Sequence, residues 1–363
     1  MNVVRNLVQS LTPIGPAVRK PEALADAGFI KASDIEAVRA AAETLPIAIP
    51  PVLAALIDPD DRDDPIARQF VPDPRETMAT SDELIDPIGD DIHSAVRGIV
   101  HRYPDRVLLT PVLVCPVYCR FCFRREAVGG AVLDDAALDA ALAYIRTHDE
   151  IFEVILSGGD PLILSPRRLK AIMDALDEIP HVAIVRFHSR VPVAAPERIT
   201  ADLISALKRE TPVYVVLHCN HPRELTLLAK AAAARLVDSG IPMLSQTVLL
   251  KGVNDDETVM EELMRALLKC RIKPYYLHHG DLARGTGHFR TTLAAGQRIV
   301  RALRGRLSGL GQPSYVLDIP GGHGKIPVGP GYLSAGQDGC WQVEDWQGHT
   351  HTYRDCTNDT EIR

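Results

Sequence analysis

An α/β fold built on a parallel barrel follows from three observations on this 363-residue chain. Short runs rich in β-branched residues start about every 30 residues from Glu153 onward. A helical pattern fills each interval, and strand plus helix at that spacing is the βα unit of a parallel sheet. Polar residues gather at the C-terminal ends of the runs, where barrel loops build active sites. An open doubly wound sheet satisfies the same periodicity, because spacing does not report closure.

The elements follow in order. The start, "MNVVRNLVQSLTPIGPAVRK", is mildly apolar but has no long apolar core and no small-residue cleavage site. Ser33–Leu45 reads as a helix with Ser33 as its cap. Asp58–Glu76, "DPDDRDDPIARQFVPDPRE", is too rich in Pro and Asp to hold a regular element for long and reads as a surface linker or an arm wrapping the body. "DDIHSAVRGIVHRYPDR" resumes a helical pattern and leads into "VLLTPVLVC". The strands are then "EVILSG" at Glu153, "HVAIVRFHS" at His181, "PVYVVLHC" at Pro212, "IPMLSQTVLL" at Ile241 and "KPYYLHH" at Lys273, with "QPSYVLDIP" at Gln312 as the last. Between them lie helical stretches such as "PRRLKAIMDALDEI". Near-continuous apolar strands imply a sheet covered on both faces.

Composition excludes several classes. With 40 basic and 47 acidic residues the net charge is −7, which leaves no footprint for a nucleic-acid backbone or an anionic membrane. No apolar run approaches the roughly 20 residues that span a bilayer. Of seven cysteines, Cys115, Cys119 and Cys122 fall within eight residues, which suits a metal in a reducing compartment, the cytoplasm, better than a disulfide scaffold.

The C-x3-C-x2-C spacing of "CPVYCRFC" is one ligand short of a tetrahedral zinc site. Thiolates also suit iron–sulfur clusters, and three of them leave one iron of a four-iron cluster open. A zinc site completed by a distant Cys or His is the alternative. A fully ligated electron carrier and a zinc-stabilised binding module are rivals from other classes.

The triplet, with an aromatic before its last cysteine, resembles the signature of the radical S-adenosylmethionine (SAM) superfamily. "HRYPDRVLLTPVLVCPVYCRFCFRR", "SGGDPL", "HSRVPVAAPERIT", "NHPRE", "QTVLLKGVND", "KPYYLHHGDLARGTGHFRT" and "DIPGGHGK" together resemble the lysine 2,3-aminomutase family, in order from His101 to Lys325. The resemblance implies a partial or incomplete TIM-type (β/α)6 radical SAM barrel. An N-terminal helical extension would occupy residues 1–95, the barrel 96–320, and a lysine loop with a short C-terminal tail 321–363.

The same resemblance implies the site. Cys115, Cys119 and Cys122 would hold a 4Fe-4S cluster. Ser157, Gly158, Gly159 and Asp160 would approach SAM, with His218 and Gln246 lining its pocket. Lys325 would carry pyridoxal 5′-phosphate as a Schiff base, an amine brought by a glycine loop into an enclosed site. Arg102 and Arg106 would lie near the phosphate, for which the planar guanidinium is suited. Arg124 would take the substrate's α-carboxylate, and Asp281 and Asp318 its terminal ammonium. His323 interrupts a run that is usually all glycine. The clostridial-type tail of zinc-binding cysteines is missing, which counts against zinc; Cys219, Cys270, Cys340 and Cys356 read as ordinary thiols.

The activity implied is an isomerase that converts L-lysine to L-β-lysine, using the cluster, SAM and pyridoxal phosphate. A shorter branch of the family supplies (R)-β-lysine for modification of translation elongation factor P, and "FHSRVP" and the missing tail resemble it. The implied partners are L-lysine, a flavodoxin- or ferredoxin-type reductant and, for that branch, the elongation factor P pathway. A homo-oligomer is compatible with the family; neither nucleic acid nor membrane is expected.

Overall fold

The computed structural model describes residues 15–337 and 339–355. A nine-stranded sheet runs in chain order from edge to edge. β1 (Ile99–Tyr103) and β2 (Arg106–Val112) form an antiparallel hairpin. β3 (Glu153–Gly158), β4 (Ile184–Ser189), β5 (Val213–His218), β6 (Met243–Val248), β7 (Ile272–His278) and β8 (Ser314–Asp318) extend β2 in parallel. β9 (Lys325–Pro327) returns antiparallel to β8.

Six helices alternate with the parallel strands: α1 (Asp135–Arg146), α2 (Pro166–Asp177), α3 (Ala201–Leu207), α4 (Leu227–Asp238), α5 (Glu257–Lys269) and α6 (Leu293–Arg306). Each begins on a capping side chain, Asp134, Ser165, Thr200, Thr226, Asp256 or Thr292, that accepts from a backbone N–H of its first turn. The count is six βα units plus a closing strand. No ladder joins β9 to β1, so the barrel is incomplete. Side chains bridge the gap: the Tyr103 hydroxyl accepts from the Lys325 N–H at 2.7 Å.

The helices pack on the outer face of the sheet through one continuous apolar core that includes Val154, Val185, Phe187, Val215, Leu169, Leu236 and Leu263. The lumen is different. β4 and β6 alternate rather than run apolar throughout, as their burial patterns show, and Arg186, His188 and Gln246 face a cavity. A barrel that must admit a ligand leaves this face open instead of filling it with side chains.

Two sequence expectations change, and two segments gain detail. The Asp90–Arg106 stretch is not a helix: it holds one 3-10 turn at Asp91–His93 and then β1, with Tyr103 and Arg106 facing each other across Pro104 and Asp105. Pairing with β2 overrides the local helical period, and proline closes the turn. The Ile35–Thr44 helix follows a 3-10 turn, and Ser33 bonds Asp34 instead of capping it. The Asp58–Glu76 arm holds only short elements, the helix Pro65–Phe70 capped by the buried Asp64 and the 3-10 turn Pro74–Thr77. The C-terminal tail is a three-stranded antiparallel meander, β10 (Leu333–Ala335), β11 (Cys340–Glu344) and β12 (Thr350–Arg354). Cys356 lies outside the described residues. Among those described, no helix is long and apolar enough to cross a membrane.

Candidate active site

One cavity of about 690 Å³ occupies the lumen. Every residue that the resemblance assigns to the site lines it: the three cysteines, Arg102, Arg106, Arg124, Ser157 to Asp160, His218, Gln246, Asp281, Asp318 and Lys325. Residues more than 200 positions apart meet because parallel strands deliver their C-terminal ends to one rim.

The cysteines sit on the loop between β2 and α1, where the Cys122 N–H donates to the Cys119 carbonyl at 3.0 Å. Leu45, Ala48, Tyr118 and Val128 pack behind Cys115 and Cys122, and Phe121, Leu250, Val253 and Phe289 pack beside Cys119. A buried ionic clamp fixes the loop's shape. Glu76 of the N-terminal arm accepts from Arg120 at 2.7 Å and from Arg125 at 2.6 Å, and all three side chains are essentially inaccessible. Arg120 also donates to the Leu45 and Pro46 carbonyls at 2.9 and 3.1 Å. The arm and the first helices are thus the mould of the cysteine loop.

Burial pushes all three thiols up, Cys122 to about 11. At Cys119 a cation opposes it: Arg190 donates to Sγ at 2.8 Å while Gln69 and Glu224 hold its other nitrogen at 2.9 and 2.8 Å. Such thiols give up their protons on ligating a metal. Among the described residues no three His, Cys, Asp or Glu side chains are grouped to hold a single ion. A four-iron cluster makes a different demand, since each thiolate takes a separate iron. Three half-buried thiols facing one cavity, none in a disulfide, fit that demand.

The glycine run after β3 serves a close approach within the chain itself. A Cβ on Gly159 would lie 2.3 Å from the Val114 carbonyl oxygen. The Gly159 and Asp160 N–H groups donate to Val112 and Val114 at 2.7 and 2.9 Å, which seats this turn against the entry to the cysteine loop. Asp160 is fully spent inside the protein. It accepts from Ser189 Oγ at 2.7 Å and from the Arg190, Val191 and Leu162 N–H groups at 2.6, 3.1 and 3.1 Å. Its carboxylate is a strut between β3 and β4 rather than a group left over for a ligand. His218 and Gln246 stand opposite each other on β5 and β6. His218 packs edge-on against Phe121, and its buried Nε2 has no partner.

Lys325 opens β9 after the glycine loop. Its Nζ donates to Asp318 and lies 3.2 Å from His278 Nδ1. Burial pushes the Asp318 carboxyl up, but the His278 hydrogen bond and the Lys325 charge prevail and hold it at about 2. Burial and the neighbouring Asp318 charge drive Asp281 the other way, to about 7. Asp281 Oδ1 is buried without any hydrogen-bond partner. His323 does not disturb the loop. Gly321, Gly322 and Gly324 take the left-handed φ values of +84°, +84° and +92°, while His323 has an ordinary φ and is exposed.

Arg124 donates through Nε to Asp90 at 2.8 Å and through Nη1 to Ser157 Oγ at 3.1 Å. Arg102 donates to the same Asp90 at 2.9 Å and to the Ile88 carbonyl at 2.7 Å, leaving its buried Nε without a partner. Arg106 lies over the Tyr103 ring and donates to Asp105 at 2.6 Å. The sequence reading assigned no role to Asp90, Glu76, Arg190, His188 or His278. His188, Arg190 and His278 stand in the quoted motifs; Glu76 ends the Pro- and Asp-rich arm, and Asp90 opens the stretch read as helical.

Comparison with known proteins is consistent along the chain. The family model described as the radical SAM superfamily matches residues 109–264, and the model described as lysine-2,3-aminomutase matches residues 300–362. The chain is 42% identical over 329 residues to L-lysine 2,3-aminomutase of Clostridium subterminale, covering 90% of this chain and 79% of that protein. It is 42% identical over 320 residues to the enzyme of the same name from Acetoanaerobium sticklandii, covering 88% and 77%. Glutamate 2,3-aminomutase of Clostridioides difficile is 39% identical over 303 residues, covering 83% and 72%.

Proposed function

For a chain that belongs to the radical SAM superfamily and, within it, to the lysine 2,3-aminomutase family, we propose that the substrate is L-lysine and the product β-lysine. The protein is an isomerase. Its superfamily implies a four-iron cluster and SAM. Pyridoxal phosphate is the third cofactor of this reading.

One observation carries the choice of lysine. Asp281 is half-buried, keeps a buried oxygen without a partner, and stands beside a second carboxylate, Asp318. An unpaired buried carboxylate is costly, and a substrate ammonium relieves it. An acidic substrate would add a third negative charge there, which supports lysine over the glutamate in the name of one relative.

When bound, the cluster and SAM supply an adenosyl radical, and pyridoxal phosphate supplies the π-system through which nitrogen migrates. The chain's own part is placement. Arg124 would orient the α-carboxylate by a charge-assisted hydrogen bond, with Ser157 fixing one edge of its guanidinium. Asp281 and Asp318 would hold the far ammonium, setting the β-carbon between two charged anchors. Lys325 would hold the cofactor through its amine, and Arg102, with an unpartnered Nε, fits a phosphate oxygen. Cys115, Cys119 and Cys122 would hold the cluster at the same wall, and the surrounding barrel excludes water from a reactive carbon radical.

The test is an anaerobic assay of the reconstituted protein with SAM, pyridoxal phosphate and dithionite, offering lysine and glutamate in parallel. β-Lysine is the expected product by mass spectrometry. β-Glutamate alone, or reductive trapping of the cofactor on a residue other than Lys325, would overturn the reading.

A further inference from the structure

We propose that Asp90 is a positioning residue that locks the substrate's carboxylate anchor to the cofactor's phosphate anchor. It rests on the functional reading above. Asp90 Oδ2 accepts from Arg124 Nε at 2.8 Å, and its Oδ1 accepts from Arg102 Nη2 at 2.9 Å. The three side chains are 12–15% exposed. Two guanidinium groups in one partly desolvated wall repel, and a single carboxylate between them holds both. Each arginine keeps donors that Asp90 does not use, including the buried Arg102 Nε with no partner. The carboxylate therefore orients both arginines without consuming them.

The strap that carries Asp90 is fixed at both ends. On one side the Leu84 N–H donates to the Leu282 carbonyl at 2.7 Å, and Glu83 accepts from the Gly285 N–H at 2.8 Å. Those contacts fall one and four residues after Asp281. On the other side His93 Nε2 lies 3.0 Å from the Gly322 carbonyl oxygen. Gly89 has a φ of +69°, and a Cβ there would sit 2.5 Å from the Gly322 backbone. Within the strap, Asp86 caps the Asp90 and Asp91 N–H groups at 2.9 and 2.8 Å. Asp90 is thus referenced to the loop that delivers Lys325 and to the loop that delivers Asp281.

The test compares wild type with Asp90→Asn and Asp90→Glu. Asparagine keeps the shape, but its amide presents a donor to one arginine where an acceptor is needed. Losing one charge-assisted hydrogen bond predicts a roughly tenfold or larger rise in both the lysine KM and the Kd for pyridoxal phosphate, with kcat much less affected. Asp90→Glu keeps the charge and restores part of both. An unchanged KM and Kd in Asp90→Asn, with only a lowered melting temperature, would reduce Asp90 to a fold-stabilising ion pair and overturn the proposal. A wild-type protein that binds neither pyridoxal phosphate nor lysine would overturn the functional reading itself, and this proposal with it.

Discussion

Two groups of buried charge meet the cysteine loop and the lumen, and they differ in one respect. Behind the loop, Glu76, Arg120 and Arg125 satisfy one another and line no part of the cavity. In the lumen, Asp318 is paired by Lys325 and His278, while Asp281 keeps a buried oxygen with no partner. A charge completed by its own chain shapes the protein; a charge left incomplete is completed by what enters. Burial alone does not tell the two apart. Hydrogen-bond completeness does.

Lys325→Ala gives the largest functional effect. Turnover and the reductively trapped cofactor adduct should both vanish while the cluster's absorption spectrum stays intact. Retained activity would remove Lys325 from its role.

Glu76→Ala strands two buried guanidinium groups. It should destabilise the protein by about 3–5 kcal/mol in chemical denaturation and lower iron retained after reconstitution. A loss of ~1 kcal/mol or less, as for an exposed pair, would break the comparison.

Asp318→Asn should lower kcat/KM for lysine by roughly tenfold to a hundredfold, as loss of a charged hydrogen bond predicts. An equal loss for glutamate would show that the effect is not ammonium recognition.

Asp281 gives a pH signature. Its folded-state pKa of about 7 lies above the ordinary 3.8, so the folded protein binds the extra proton between those values. Without ligand, stability attributable to this group is greatest at low pH and falls as pH rises toward about 7. Lysine affinity runs the opposite way, since the ammonium needs the ionised form. The lysine KM should therefore fall as pH rises through about 7, and Asp281→Asn should flatten both profiles. A pH-independent KM in the wild type would remove Asp281 from the ammonium site. His323→Gly should be the smallest change, within about 0.5 kcal/mol in stability and without effect on turnover, because its side chain is exposed.

Much of the barrel was legible in the chain. Alternating β-branched runs and capped helical intervals mark β3 to β8 because local period and tertiary environment agree there. The Asp90–Arg106 stretch misled because a short apolar pattern fits a helix or a strand equally, and only pairing with β2 decides. Asp90 itself carried no functional signal: it opens the stretch that read as helical, and its two arginine partners lie 12 and 34 residues away.

By itself the sequence determined the cysteine spacing, the six βα units and the glycine-framed lysine, since these rest on neighbours along the chain. Tertiary structure alone decided which charges are spent and which remain available. Asp160 and Asp281 both end up at the barrel rim; four donors surround the first, while one buried oxygen of the second meets none. Hydrogen bonds form between groups that folding brings together, and no local pattern of residue types records how many donors will reach a given oxygen.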